Sequence, residues 1–108
     1  MPVPEWRWDV DRRLTKSLTT IRQGQPKSHK QILAKMSDMM TGDDPFPPDS
    51  IKLHGVSGGR RVDIGEFRIL YHVDESARRV TFYIVDRRND NAVYQQLEAL
   101  RNRILQAK

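Results

Sequence analysis

Apolar and polar positions alternate with a period of two along Glu5-Trp6-Arg7-Trp8-Asp9-Val10, which predicts a short strand. The period then changes. From Val10 the positions Leu14, Leu18 and Ile21 recur at helical spacing, with Asp9 or Asp11 as candidate N-cap, and Gly24 followed by Pro26 supplies a stop. A second stripe, Ile32, Leu33, Met36, Met39 and Met40, follows the candidate N-cap Ser28 and breaks at Thr41-Gly42. With four residues between them, the two segments predict an antiparallel helical hairpin. Methionines at this spacing are read as core rather than as an adaptable binding groove.

Residues 43–59 contain Pro45, Pro47, Pro48, Gly55, Gly58 and Gly59, show no period and predict a long loop. Alternation returns at Val62 and Ile64, then at Phe67, Ile69, Tyr71 and Val73, with Gly65 as a turn or bulge between them. The turn Asp74-Glu75-Ser76-Ala77 and the β-branched and aromatic run Val80 to Val85 predict an antiparallel hairpin of 66–74 and 78–87, its arginines polar alternates on the solvent side. Asn89-Asp90-Asn91 is a turn and N-cap cluster, and Val93, Leu97, Leu100 and Ile104 predict a terminal helix. The order β-α-α-β-β-β-α predicts a single α+β domain over 1–108: an N-terminal strand, an antiparallel helical hairpin packed on a small antiparallel sheet, and a C-terminal helix. The second sheet face is expected to stay partly open.

Composition narrows the chemistry. The chain has 108 residues, so one core is expected, and it has no cysteine, which removes disulfides, thiol nucleophiles and Cys-based metal sites. The N-terminus lacks a basic-then-apolar signal pattern and no apolar run approaches a membrane span, so the expectation is an unprocessed cytoplasmic protein without a membrane partner. The formal charge is +5, and the excess sits in the second half: residues 51–108 carry eleven Lys/Arg and seven Asp/Glu, against eight and seven in 1–50. Such a surface fits a polyanion or an acidic partner.

His29, His54 and His72 have no HxxxH or HExxH spacing, so neither a metal nor another cofactor is expected, and GxSxG, P-loop and GxGxxG patterns are absent. The carboxylate pairs Asp43-Asp44 and Asp74-Glu75 fall in predicted turns, where local hydrogen bonding accounts for them. The distinctive feature is a set of arginines on strand positions, Arg60, Arg61, Arg68, Arg87 and Arg88, followed by Tyr94. One reading is a solvated basic face with a packed tyrosine. The other is RNA chemistry: attack of a ribose 2′-OH on its phosphate needs a proton acceptor, cations for the pentavalent phosphorus and a donor for the leaving 5′-oxygen. Arginine forks match phosphate, and a Tyr or Lys among cations has a lowered pKa, so no metal or histidine is required.

The segments Lys52-Leu53-His54-Gly55, RRVDIGEFRILYHV and DRRNDNAVYQQL, together spanning about residues 51–97, resemble the RelE/ParE family of toxins from bacterial type II toxin–antitoxin modules. The resemblance implies the fold predicted above and two activities. RelE-like members cut mRNA in the ribosomal A site, whereas ParE-like members act on DNA gyrase and generally lack the RNA-cutting residues. On the RelE-like side, Arg68 in EFRILY matches the arginine that steadies the transition-state phosphate, Arg88 in DRRND the one that protonates the leaving group, and Tyr94 the general base. Arg61 matches the first of two basic residues on the preceding strand, but the second falls on Asp63, an acid in place of a cation. Lys52, Arg60 and Arg87 are the accompanying RNA-binding candidates, although Arg60, adjacent to Arg61, points to the opposite face of a regular strand. The resemblance implies a cognate antitoxin, the ribosome and mRNA as partners, and a higher-order toxin–antitoxin complex. The favoured expectation is a ribosome-dependent mRNA endonuclease; the alternatives are a gyrase inhibitor or an inactive binding module of the same fold.

Overall fold

The structure, a computed structural model, describes residues 4–89 and 92–107. Strand β1 (Arg7–Val10) leads through Asp11, whose carboxylate accepts the Arg13 N–H at 2.8 Å, into helix α1 (Arg12–Gly24). Helix α2 (Pro26–Thr41) follows after Gln25 alone. The connection is therefore one residue, not four, and Ser28 lies inside the first turn instead of capping it. Pro26 explains both differences, since its fixed φ suits the first helical position and needs no N–H partner. Ile32, Met36 and Met39 are buried as expected, while Leu33 and Met40 stay exposed at the edge of the stripe.

The sheet runs β1-β5-β4-β3-β2, with β2 (Ile51–Lys52), β3 (Gly59–Ile64), β4 (Phe67–Asp74) and β5 (Arg79–Arg87). Four of the five strands pair antiparallel, but β1 pairs parallel to β5, so the sheet is mixed. The predicted loop 43–59 also yields the short edge strand β2. At Gly58, φ is +75° and an added Cβ would stand 2.6 Å from the Val73 carbonyl, so this crossing point needs glycine. Helix α3 (Val93–Ala107) closes the chain. Of the N-cap cluster, Asp90 and Asn91 lie outside the described residues.

Period-two alternation divides the sheet into two faces. Val62, Ile69, Tyr71, Val73, Val80 and Phe82 meet Leu14, Leu18, Ile32 and Met36 of the helical hairpin in the main core. Trp6 and Trp8 pack here too: Trp8 stacks on Phe82 at 5.8 Å, and Asp43 accepts the Trp6 backbone N–H at 3.2 Å and the Trp8 indole N–H at 3.0 Å. On the other face Leu70, Tyr83 and Ile84 pack under Leu100 and Ile104 of α3, together with Leu53 and Val56. That face is thus covered by α3 at one end and left partly open at the other, as expected. A register shift makes this possible: Leu70 pairs with Ile84 and Tyr71 with Phe82, which leaves Tyr83 as an extra residue on β5. Its carbonyl accepts a hydrogen bond from Arg103 Nη1 at 2.6 Å.

Candidate phosphate site at the uncovered end of the sheet

Beyond the apolar cluster under α3, the same face continues with charged residues. The turn Gly65-Glu66, with φ +56° at Gly65, folds β4 back on β3 so that Asp63 pairs in register with Arg68, and Arg68 with Asp86 of β5. An acid–arginine–acid row therefore crosses three strands. Arg61, two residues before Asp63, shares its face by the strand period. Arg88 follows β5; its backbone N–H extends the ladder to the Glu66 carbonyl at 2.8 Å and its Nη1 donates to the Gly65 carbonyl at 3.3 Å.

These placements bring three guanidinium groups to one carboxylate. Arg68 Nε donates to Asp63 Oδ1 at 3.0 Å, while Asp63 Oδ2 stands 3.5 Å from Arg88 Nε and 3.8 Å from Arg61 Nη1. Arg68 is not the solvent-side alternate expected of it: its side chain is 4% exposed, whereas those of Arg61 and Asp63 are 26% and 27% exposed and that of Arg88 is half exposed. A buried guanidinium needs a counter-charge, and Asp63 supplies it. Asp86, in register beside Arg68, adds a second carboxylate to the row, so the three arginines exceed the two acids by one formal charge.

The remaining candidates lie elsewhere. Arg60 pairs in register with Tyr71 and so lies on the helical-hairpin side, where Nη2 donates to Ser50 Oγ at 2.8 Å and the guanidinium covers the Phe46 ring. Arg87 pairs with Phe67, again on that side; it covers the Phe67 ring and bridges to Glu66 at 3.2 Å. Lys52 is exposed on the edge strand, at the mouth of a cavity of about 720 Å³ shared with Arg60, His72 and Arg101 at the opposite end of the sheet. The structure thus unites Arg61, Arg68 and Arg88 and separates Lys52, Arg60 and Arg87 from them. Tyr94 stands in the first turn of α3, 77% exposed. Two residues on, buried Gln96 ties α3 to the end of β5, donating through Nε2 to Asp86 Oδ2 at 3.3 Å and to the Arg87 carbonyl at 3.2 Å. Positions two apart lie about 200° around a helix, so Tyr94 is turned from the side that Gln96 presents to the strand.

Asp63 is singled out in the sequence as an acid in place of a cation, but not as the residue that gathers the arginines, and Gln96 as the anchor escaped the sequence reading. The Arg61-Asp63 alternation signals their shared face, but nothing in the sequence signals Gln96, a polar residue within the apolar stripe of α3. Among the described residues no three His, Asp or Glu side chains form a group able to hold a metal ion.

No protein-family model matches the sequence, and no curated protein does. Solved structures do match the fold. The isolated RelE toxin of E. coli superposes with TM-score 0.62 at 18% identity, covering 87% of this chain and 96% of that one. A chain of the RelB–RelE antitoxin–toxin complex from Methanococcus jannaschii gives 0.64 at 17% identity, covering 82% and 96%. A chain of the archaeal RelE–RelB complex from Pyrococcus horikoshii OT3 gives 0.60 at 21%, covering 80% and 98%. The chain has the RelE-like toxin fold.

Proposed function

We propose that this protein is the toxin of a type II toxin–antitoxin pair and acts as a metal-independent, ribosome-dependent mRNA endonuclease that inhibits translation in the cytoplasm. The observation that carries this reading is the convergence of Arg61, Arg68 and Arg88 at one uncovered end of a RelE-like sheet. Guanidinium groups fixed around one point bind a phosphodiester and stabilise the charge that grows on it during 2′-OH attack. In this reading Arg61 and Arg68 hold the non-bridging oxygens, half-exposed Arg88 serves the leaving 5′-oxygen, and Tyr94 meets the mRNA at the rim. The cluster lies on one face of the sheet, so the ribosome supplies the alignment of the 2′-OH with the phosphorus, and free RNA is a poor substrate. A cognate antitoxin neutralises the protein by covering the basic surface.

The fold also suits a gyrase inhibitor, and one observation favours that second reading: Asp63 and Asp86 already offset most of the arginine charge. Inducible expression in bacteria with primer-extension mapping of mRNA tests the choice. Ribosome-phased cuts that disappear in Arg88→Ala are expected; growth arrest with DNA damage and intact mRNA would favour gyrase, and normal growth an inactive binding module.

A further inference from the structure

A transesterification that starts at a 2′-OH needs a proton acceptor beside the bound phosphate, and the acceptor at the centre of the arginine cluster is a carboxylate. Asp63 Oδ1 is fixed by Arg68 Nε at 3.0 Å. Among the described residues its Oδ2 is held by the longer contacts to Arg88 and Arg61, 3.5 and 3.8 Å, and the side chain is 27% exposed. One oxygen is therefore anchored while the other faces the gap between two cations, the gap a phosphodiester would enter. Tyr94, by contrast, is 77% exposed in the first turn of α3 and takes no part in the ion pairs that join Asp63 to Arg61, Arg68 and Arg88.

Resting on the endonuclease reading, we propose that Asp63 is the general base of this site. The 2′-OH gives its proton to Asp63 Oδ2 as the O2′–P bond forms. The P–O5′ bond then breaks, the 5′-oxygen takes a proton from solvent water beside Arg88, and Asp63 returns its proton to solvent. The products are a 2′,3′-cyclic phosphate and a 5′-hydroxyl. The acid that replaces a cation at this position thus exchanges phosphate affinity for proton transfer, and the three arginines that remain carry the phosphate.

The charged groups around Asp63 are Arg61 from β3, Arg68 from β4, Arg88 after β5 and, beyond Arg68, Asp86. Single-turnover cleavage of a defined mRNA on programmed ribosomes, with the full-length protein, tests the assignment. Asp63→Asn should slow cleavage by about 100- to 10,000-fold with ribosome binding retained. Its residual rate should climb about tenfold per pH unit between about pH 6 and 9, as hydroxide takes over the proton transfer, while the wild-type rate stays nearly flat. Asp63→Glu should recover part of the rate together with the flat profile. A purely structural role for Asp63 would lower the rate without creating that slope. An Asp63→Asn rate equal to or above wild type would make Asp63 a counter-ion only and overturn the assignment while leaving the endonuclease standing. A wild-type protein that arrests growth yet never cuts ribosomal mRNA would overturn both.

Discussion

The two faces of the sheet are built from alternate residues of the same strands, yet they do opposite things. Toward the helical hairpin the alternates are apolar except for Arg60 and Arg87, and Tyr71 and Phe82 sit fully buried between the sheet and the helices. Toward α3 only one end is apolar, and the other carries Arg61, Asp63, Arg68 and Asp86 in place of a core. One face therefore holds the larger core, which leaves one end of the other free to hold charges that would be costly in a core.

Truncation of facing residues breaks this comparison most directly. Phe82→Ala, on the hairpin side, should cost about 3–5 kcal/mol in urea unfolding, while Ile84→Ala, two residues on and under α3, should cost about 2–3 kcal/mol because a single helix can settle into the space. Equal losses would show that α3 carries as much of the core as the hairpin does. Arg68→Met sharpens the contrast. Asp63 keeps Arg61 and Arg88 and remains partly solvated, so stability should fall by only about 1–2 kcal/mol, whereas mRNA cleavage should drop at least about 100-fold. A stability loss matching that of Phe82→Ala would instead make Arg68 a structural residue.

The smallest effect concerns the hairpin side alone. Hydrogen bonds from the Trp8 indole N–H and from the Glu5 and Trp6 backbone hold the Asp43 carboxyl below its ordinary range. A depressed folded pKa stabilises above the unfolded value, about 3.9, and that contribution is lost as pH falls through the folded pKa. Tryptophan fluorescence should therefore report release of residues 5–8 in acid ahead of global unfolding. In Asp43→Asn that early step should be absent; a step unchanged by the substitution would assign it to another carboxylate.

Much of this was legible in the sequence because the determinants are local. The helical stripes, the Gly24-Pro26 break, the 3.6 and 2.0 periods and the strand alternates of Arg61, Asp63 and Arg68 follow from backbone geometry. Ser28 misled because it resembles a cap, and the dominant constraint was Pro26, two residues earlier. Lys52, Arg60 and Arg87 entered the candidate set by charge. Charge says nothing about direction, and their strand partners place Arg60 and Arg87 on the helical-hairpin side.

The sequence by itself determined which segments are helix or strand, that they build an α+β fold, and which arginines can share a face. Only the tertiary structure decided that β1 joins β5 in parallel, that the extra residue Tyr83 turns a second apolar patch toward α3, and that Asp63 stands among three guanidinium groups. The physical reason is range. Period and capping act between neighbours along the chain, whereas register, bulges and charge convergence depend on strands distant in sequence, and their energies exist only once those strands have paired.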